Sequence, residues 1–140
     1  MSAALRIFAA GAFVTLCACG LDDNGPKGSD VVSMLTMGRD TARIATVDTV
    51  PRGAFFTISF TTYAGGCFTK GETKVGQTAS GVMLMPYDHY SGGEVCDRML
   101  RIFVHAVAVV LYTPGPATIR LVGVGDDRQP LELTRSVFVR

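Results

Sequence analysis

Phe56, Ile58 and Phe60 alternate with Thr57, Ser59 and Thr61, so an extended segment from Phe55 to Tyr63 would carry three large apolar side chains on one face. That face is expected to be core. Short β-favouring runs of this kind, separated by turn formers, fill the chain from Ala42 onward. Arg43 to Val50 is the first and ends at Pro51 and Gly53. Beyond Gly65-Gly66, the run from Cys67 to Val75 carries Lys70, Glu72 and Lys74, charges that suit an edge strand. Val82 to His89 follows, with Pro86 predicting an edge or a bend in its second half. Met99 to Tyr112 is the longest apolar run and is apolar on both alternate sets, which predicts a central strand covered on at least part of both faces. Ala117 to Val124 places Ile119 inside and Arg120 outside, and Leu133 to Val139 closes the chain.

Seven strands spaced by turns in about 100 residues predict an all-β domain resembling an immunoglobulin-like antiparallel β-sandwich. The resemblance is to the broad architecture and not to antibody domains. The chain has no Trp, Cys67 and Cys96 lie only 29 positions apart, and Glu94 stands where those domains place a Tyr.

The chain begins differently. Arg6 precedes an apolar run from Ile7 to Leu16, and small residues follow, the order of a secretory signal peptide. The run is shorter than the roughly 20 residues needed to span a bilayer core. Its end, Leu16-Cys17-Ala18-Cys19, resembles the lipobox of bacterial lipoproteins. The resemblance implies cleavage before Cys19, lipidation of that cysteine, and a membrane tether made of acyl chains. In that family an Asp after the cysteine signals retention at the inner membrane; here the residue is Gly20, which implies the outer membrane where the host has one. Ordinary cleavage nearby, leaving Cys19 as a free thiol, is the alternative. Asp22 to Asp30 is a cluster of polar turn formers, and the expected organisation is a signal peptide at 1–18, a lipidated cysteine with flexible tether at 19–41, and the β-sandwich at 42–140. Val31 to Met37 is apolar enough to dock as an edge strand.

Arg6 is the only charge in the leader, so the remaining chain balances 12 basic against 12 acidic residues. That balance excludes the basic footprint of a nucleic-acid binder. Two cysteines, Cys67 and Cys96, remain after Cys19, and an even count in an exported chain reads as one disulfide. Two buried thiols, or a zinc site shared with His89 and His105, are the competing readings.

Candidate chemistry is sparse. Tyr87, Asp88, His89 and Tyr90 offer two aromatic rings beside an acid and an imidazole, a possible binding rim on a loop edge. His105, between Phe103 and Val107, reads as a structural histidine. No Gly-x-Ser-x-Gly elbow is present, and Gly123-x-Gly125 is not followed by a helical pattern, so neither an elbow-type nucleophile nor a phosphate loop is expected. The surroundings of Gly65-Gly66-Cys67, Pro86-Tyr87-Asp88 and Cys96, and the strand Ala117 to Val122, are similar to small bacterial lipoproteins, a resemblance that brings no activity with it. The expectation is a lipid-anchored, non-catalytic binding or accessory module of the cell envelope, with no metal or cofactor and with an envelope protein as its possible partner. The alternative is a small envelope enzyme or metal carrier centred on Asp88, His89 and His105.

Overall fold

A computed structural model describes residues 28–93 and 95–140. The expected signal peptide, the lipobox-like motif and Cys19 lie outside the described residues. Those described form strands and no helix: β1 (Ser29–Val32), β2 (Thr36–Met37), β3 (Asp40–Thr41), β4 (Thr49–Val50), β5 (Phe55–Ala64), β6 (Phe68–Thr78), β7 (Gly81–Tyr90), β8 (Arg101–Val110), β9 (Gly115–Val124) and β10 (Pro130–Val139).

One sheet runs β6-β7-β9-β10-β4, and β5 pairs with β8 in an antiparallel ribbon. The alternation in β5 does what the sequence predicts. Phe56, Ile58 and Phe60 meet Val82 and Leu84 of β7, Ile119 and Leu121 of β9, and Val137 and Val139 of β10 in one buried cluster. Each such side chain stabilises the fold by about 1.5–3 kcal/mol relative to leaving it in water.

The pairing is mixed, where a purely antiparallel sandwich was expected. β7 runs parallel to β9, and β4 runs parallel to β10. The cause of the first is connectivity: between β7 and β9 the chain passes through β8, which pairs with β5 instead of with either of them. A strand that departs from a sheet and returns through another element comes back in its original direction.

Three further expectations are corrected. The run from Met99 to Tyr112 is not a central strand: among the described residues β8 pairs only with β5, and its outward Ile102 and Val104 are exposed. Apolarity on both faces does not specify which face finds a partner. Pro86 lies within β7, which is paired on both sides, where an edge was expected. It is tolerated because the ladders change beside it. A bulge in β6 falls between Lys70 and Thr73, and the other side of β7 passes from β9 to β1. The segment expected at Arg43 to Val50 is reduced to β4 and a bridge between Ala45 and Ser59. On its other side the carbonyls of Ile44 and Thr46 accept hydrogen bonds from the Arg135 guanidinium, 3.2 and 3.3 Å away, in place of a ladder.

Residues 28–41, at the end of the expected tether and including the Val31 to Met37 run read as able to dock, join the fold. β1 pairs antiparallel with the C-terminal half of β7, occupying the side that β9 covers lower down. Beyond it Met34 bridges both Val124 of β9 and Tyr63 of β5, joining the sheet to the ribbon. Ser33 and Leu35 are fully buried. Gly123 permits this crossing, since a Cβ there would stand 2.5 Å from Leu35 Cγ and 2.7 Å from the Ser33 carbonyl oxygen.

Candidate functional site

β1 and its continuation, the end of β5 and the start of β6 enclose a cavity of about 230 Å3. Met34, Met37, Tyr63 and Phe68 belong to its apolar wall, and Asp88 and Arg128 line it as well. The Cys67–Cys96 disulfide, with 5.0 Å between Cα atoms, ties the start of β6 to the β7–β8 connection and so fixes the residue preceding Phe68. Because the two sulfurs are bonded to each other, they no longer offer the thiolates that the zinc alternative requires.

Asp88 faces inward because it shares the parity of Val82 and Leu84 along β7. It is 2% exposed. Its Oδ1 and the Ser33 hydroxyl beside it make no hydrogen bond of full geometry, although the hydroxyl stands close enough to the carboxyl to act on it. Burial pushes the carboxyl up from 3.8 to about 6, and the adjacent Ser33 hydroxyl offsets part of that rise. Leaving a buried acceptor unsatisfied costs roughly 1–3 kcal/mol.

Arg128 enters from the β9–β10 turn. Its φ of 63° lies in the left-handed region, which costs a non-glycine residue roughly 1–2 kcal/mol. The turn is held by the Arg128 amide donating to the Gly125 carbonyl at 3.0 Å and by the Gln129 amide donating to Asp127 Oδ1 at 3.0 Å. The turn is joined to the β2–β3 hairpin beside the cavity by the Asp126 amide, which donates to Thr36 Oγ1 at 3.0 Å, and by the Gly38 amide, which donates to Asp126 Oδ2 at 3.2 Å.

The four residues of the expected rim are in a strand, not on a loop edge, and alternation divides them between two faces. Asp88 turns inward, whereas Tyr87 and His89 turn outward. Tyr87 lies under the Lys74 ammonium, 4.6 Å from the ring centroid. His89 Nδ1 donates to Asp30 Oδ1 at 2.9 Å. Tyr90 stacks obliquely on Phe68, with centroids 5.2 Å apart, and its hydroxyl donates to the Gly93 carbonyl at 2.8 Å.

His105 is held in a different place. Its Nε2 lies 3.0 Å from Thr62 Oγ1 of β5, its Nδ1 lies 3.1 Å from Thr73 Oγ1 of β6, and the ring stacks on Phe60 at 5.0 Å. Burial, with a smaller push from the Lys70 charge, lowers its pKa from 6.5 to about 4. The imidazole is therefore neutral at pH 7, with both nitrogens engaged by threonine hydroxyls. It links β8 to β5 and β6. Among the described residues no three His, Cys, Asp or Glu side chains gather in a group able to hold a metal ion.

Asp88 was in the sequence-derived set; Ser33, Met34, Phe68 and Arg128 were not. The parity of Val82 and Leu84 was the available signal that Asp88 faces inward, whereas the path of residues 33–35 across β9 depends on tertiary pairing. Comparison with protein families, with curated proteins and with solved structures returns no match.

Proposed function

We propose that this chain is a lipid-anchored binding or accessory module of the cell envelope, without catalytic activity, on a variant of the immunoglobulin-like β-sandwich. The cavity beside β1 carries the binding part of this proposal. It is concave and mostly apolar, with the buried Asp88 carboxyl in its lining, which is how small-ligand sites are built. The lipobox-like end of the leader supports the anchor, and Gly20 supports outer-membrane placement where the host has one. The disulfide suits an exported chain. Engagement of both His105 nitrogens by hydroxyls speaks for a structural role, and so against a general base at that position. For the architecture, support comes from a ribbon and a sheet sharing one core, with two parallel ladders as the departure from the usual sandwich.

The test is a photoreactive residue in place of Val32, on the cavity wall, introduced into the full chain in its native envelope. A recurrent adduct, whether a small molecule or an envelope protein, is expected on irradiation. Its absence would count against a binding module. In the same cells a Cys19→Ala chain is expected to leave the membrane fraction, and its retention there without lipid would remove the anchor from the proposal.

A further inference from the structure

Asp88 and Arg128 line the same cavity, yet neither takes part in any ion pair among the described residues. A buried acid and an exposed guanidinium, unpaired around an apolar hollow, form two poles that one molecule of matching polarity would satisfy together. The walls match the rest of such a molecule. Met34 and Met37 supply flexible thioethers that adapt to an apolar body, and the rings of Tyr63 and Phe68 provide rigid contact area. A volume of about 230 Å3 has room for roughly ten non-hydrogen atoms at the density of protein interiors.

We infer that the cavity binds a small zwitterion with an apolar body, of the apolar amino acid class, its ammonium on Asp88 and its carboxylate on Arg128. This rests on the proposal that the chain is a binding module and narrows it to a ligand class. The ammonium provides charged N–H donors for the Asp88 carboxylate in the cavity lining, and the guanidinium of Arg128 provides the planar donors that suit a carboxylate. A bare metal cation fits less well. It would face the positive charge of Arg128 and would find one carboxylate where hard cations take several oxygen ligands. The backbone of Arg128 also fits a site that is held for binding: the chain keeps an arginine at a position where glycine would be relaxed.

Titration calorimetry on the full chain in mild detergent, with the disulfide intact, tests the assignment with three probes that share one phenylethyl body: L-phenylalanine, 2-phenylethylamine and 3-phenylpropanoate. L-phenylalanine is expected to bind at least about tenfold more tightly than either single-charge analogue, the scale of one charge-assisted hydrogen bond. Asp88→Asn is expected to erase its advantage over 3-phenylpropanoate, and Arg128→Gln its advantage over 2-phenylethylamine. Arg128 is exposed, so the second variant tests the assignment even if the first fails to fold. Equal binding of all three probes would overturn the zwitterion and leave a general apolar site. Failure of all three to bind, with a recurrent photoadduct still forming at position 32, would overturn the ligand class alone. Failure of both would remove the binding module with it.

Discussion

Replacing Asp88 by Asn is expected to make stability rise more steeply with pH than it does in the parent. Two buried groups titrate in the same window with opposite signs. The Asp88 carboxyl is raised from 3.8 to about 6, so the folded chain keeps this proton longer than the unfolded chain does. Its contribution is fully present below about pH 4 and is lost as the pH rises through 6. The His105 imidazole is lowered from 6.5 to about 4, so the folded chain releases that proton early. Its contribution is present above pH 6.5 and is lost as the pH falls through 4. Each pH unit of displacement is worth about 1.4 kcal/mol, which gives each group an effect of about 3 kcal/mol. The two nearly cancel between pH 4 and 6.5. With asparagine at position 88 only the histidine effect remains, and the stability of the variant should climb by about 3 kcal/mol from pH 4 to 7 relative to the parent. His105→Gln should tilt the curve the other way, whatever its overall loss from broken threonine contacts. Urea unfolding of the oxidised protein in half-unit pH steps measures both slopes. Other titrating groups are common to parent and variant and drop out of the difference. Parallel curves for parent and Asp88→Asn would refute the reasoning, because they would mean that Asp88 meets the same environment folded and unfolded.

Three other outcomes follow from the fold. Replacing both Cys67 and Cys96 by Ser should lower stability by about 3–4 kcal/mol, the loop-closure value for a separation of 29 residues, as read by denaturant midpoint at constant m-value. Gly123→Ala should cost about 1–3 kcal/mol, since the new methyl would displace Leu35 or the Ser33 backbone; an unchanged melting temperature would contradict the close crossing. Val104→Thr on the exposed face of β8 should shift stability by less than about 0.5 kcal/mol, whereas Val109→Thr on its buried face should cost at least about 1 kcal/mol. Equal losses at the two positions, measured by thermal unfolding, would restore a covered central strand.

Much of this architecture was legible along the chain, and the illegible part has a consistent cause. The two-residue period in Phe56, Ile58 and Phe60 identified a core face because polar Thr57, Ser59 and Thr61 mark the opposite side. In β8 both faces are apolar, so periodicity carried no information about which side is covered, and the strand was placed at the centre instead of beside a single partner. The cysteine pair was legible by count alone. Pro86 suggested an edge because a missing N–H weakens a ladder, but the bulge and the change from β9 to β1 that accommodate it involve residues far away in sequence. The same holds for the cavity. Asp88 could be assigned to the inner face from the parity of β7, but its pairing with a hollow required knowing that residues 33–35 cross between Val124 and Tyr63. Nothing local to Arg128 announced a left-handed backbone, since the polar turn around it is compatible with several turn types.

The insertion of β1 beside β7 also has a mechanical meaning. Tension applied at Gly28 would be borne first by the ladder that pairs Ser29 with Tyr90 and Val32 with Tyr87. Val31 and Val32 belong at once to that ladder and to the cavity wall. A pull strong enough to peel the strand therefore takes away one side of the hollow before it reaches the main core, whereas a ligand seated there resists the peel. Load on the segment leading into the domain and occupancy of the cavity are thus coupled through the same four residue pairs.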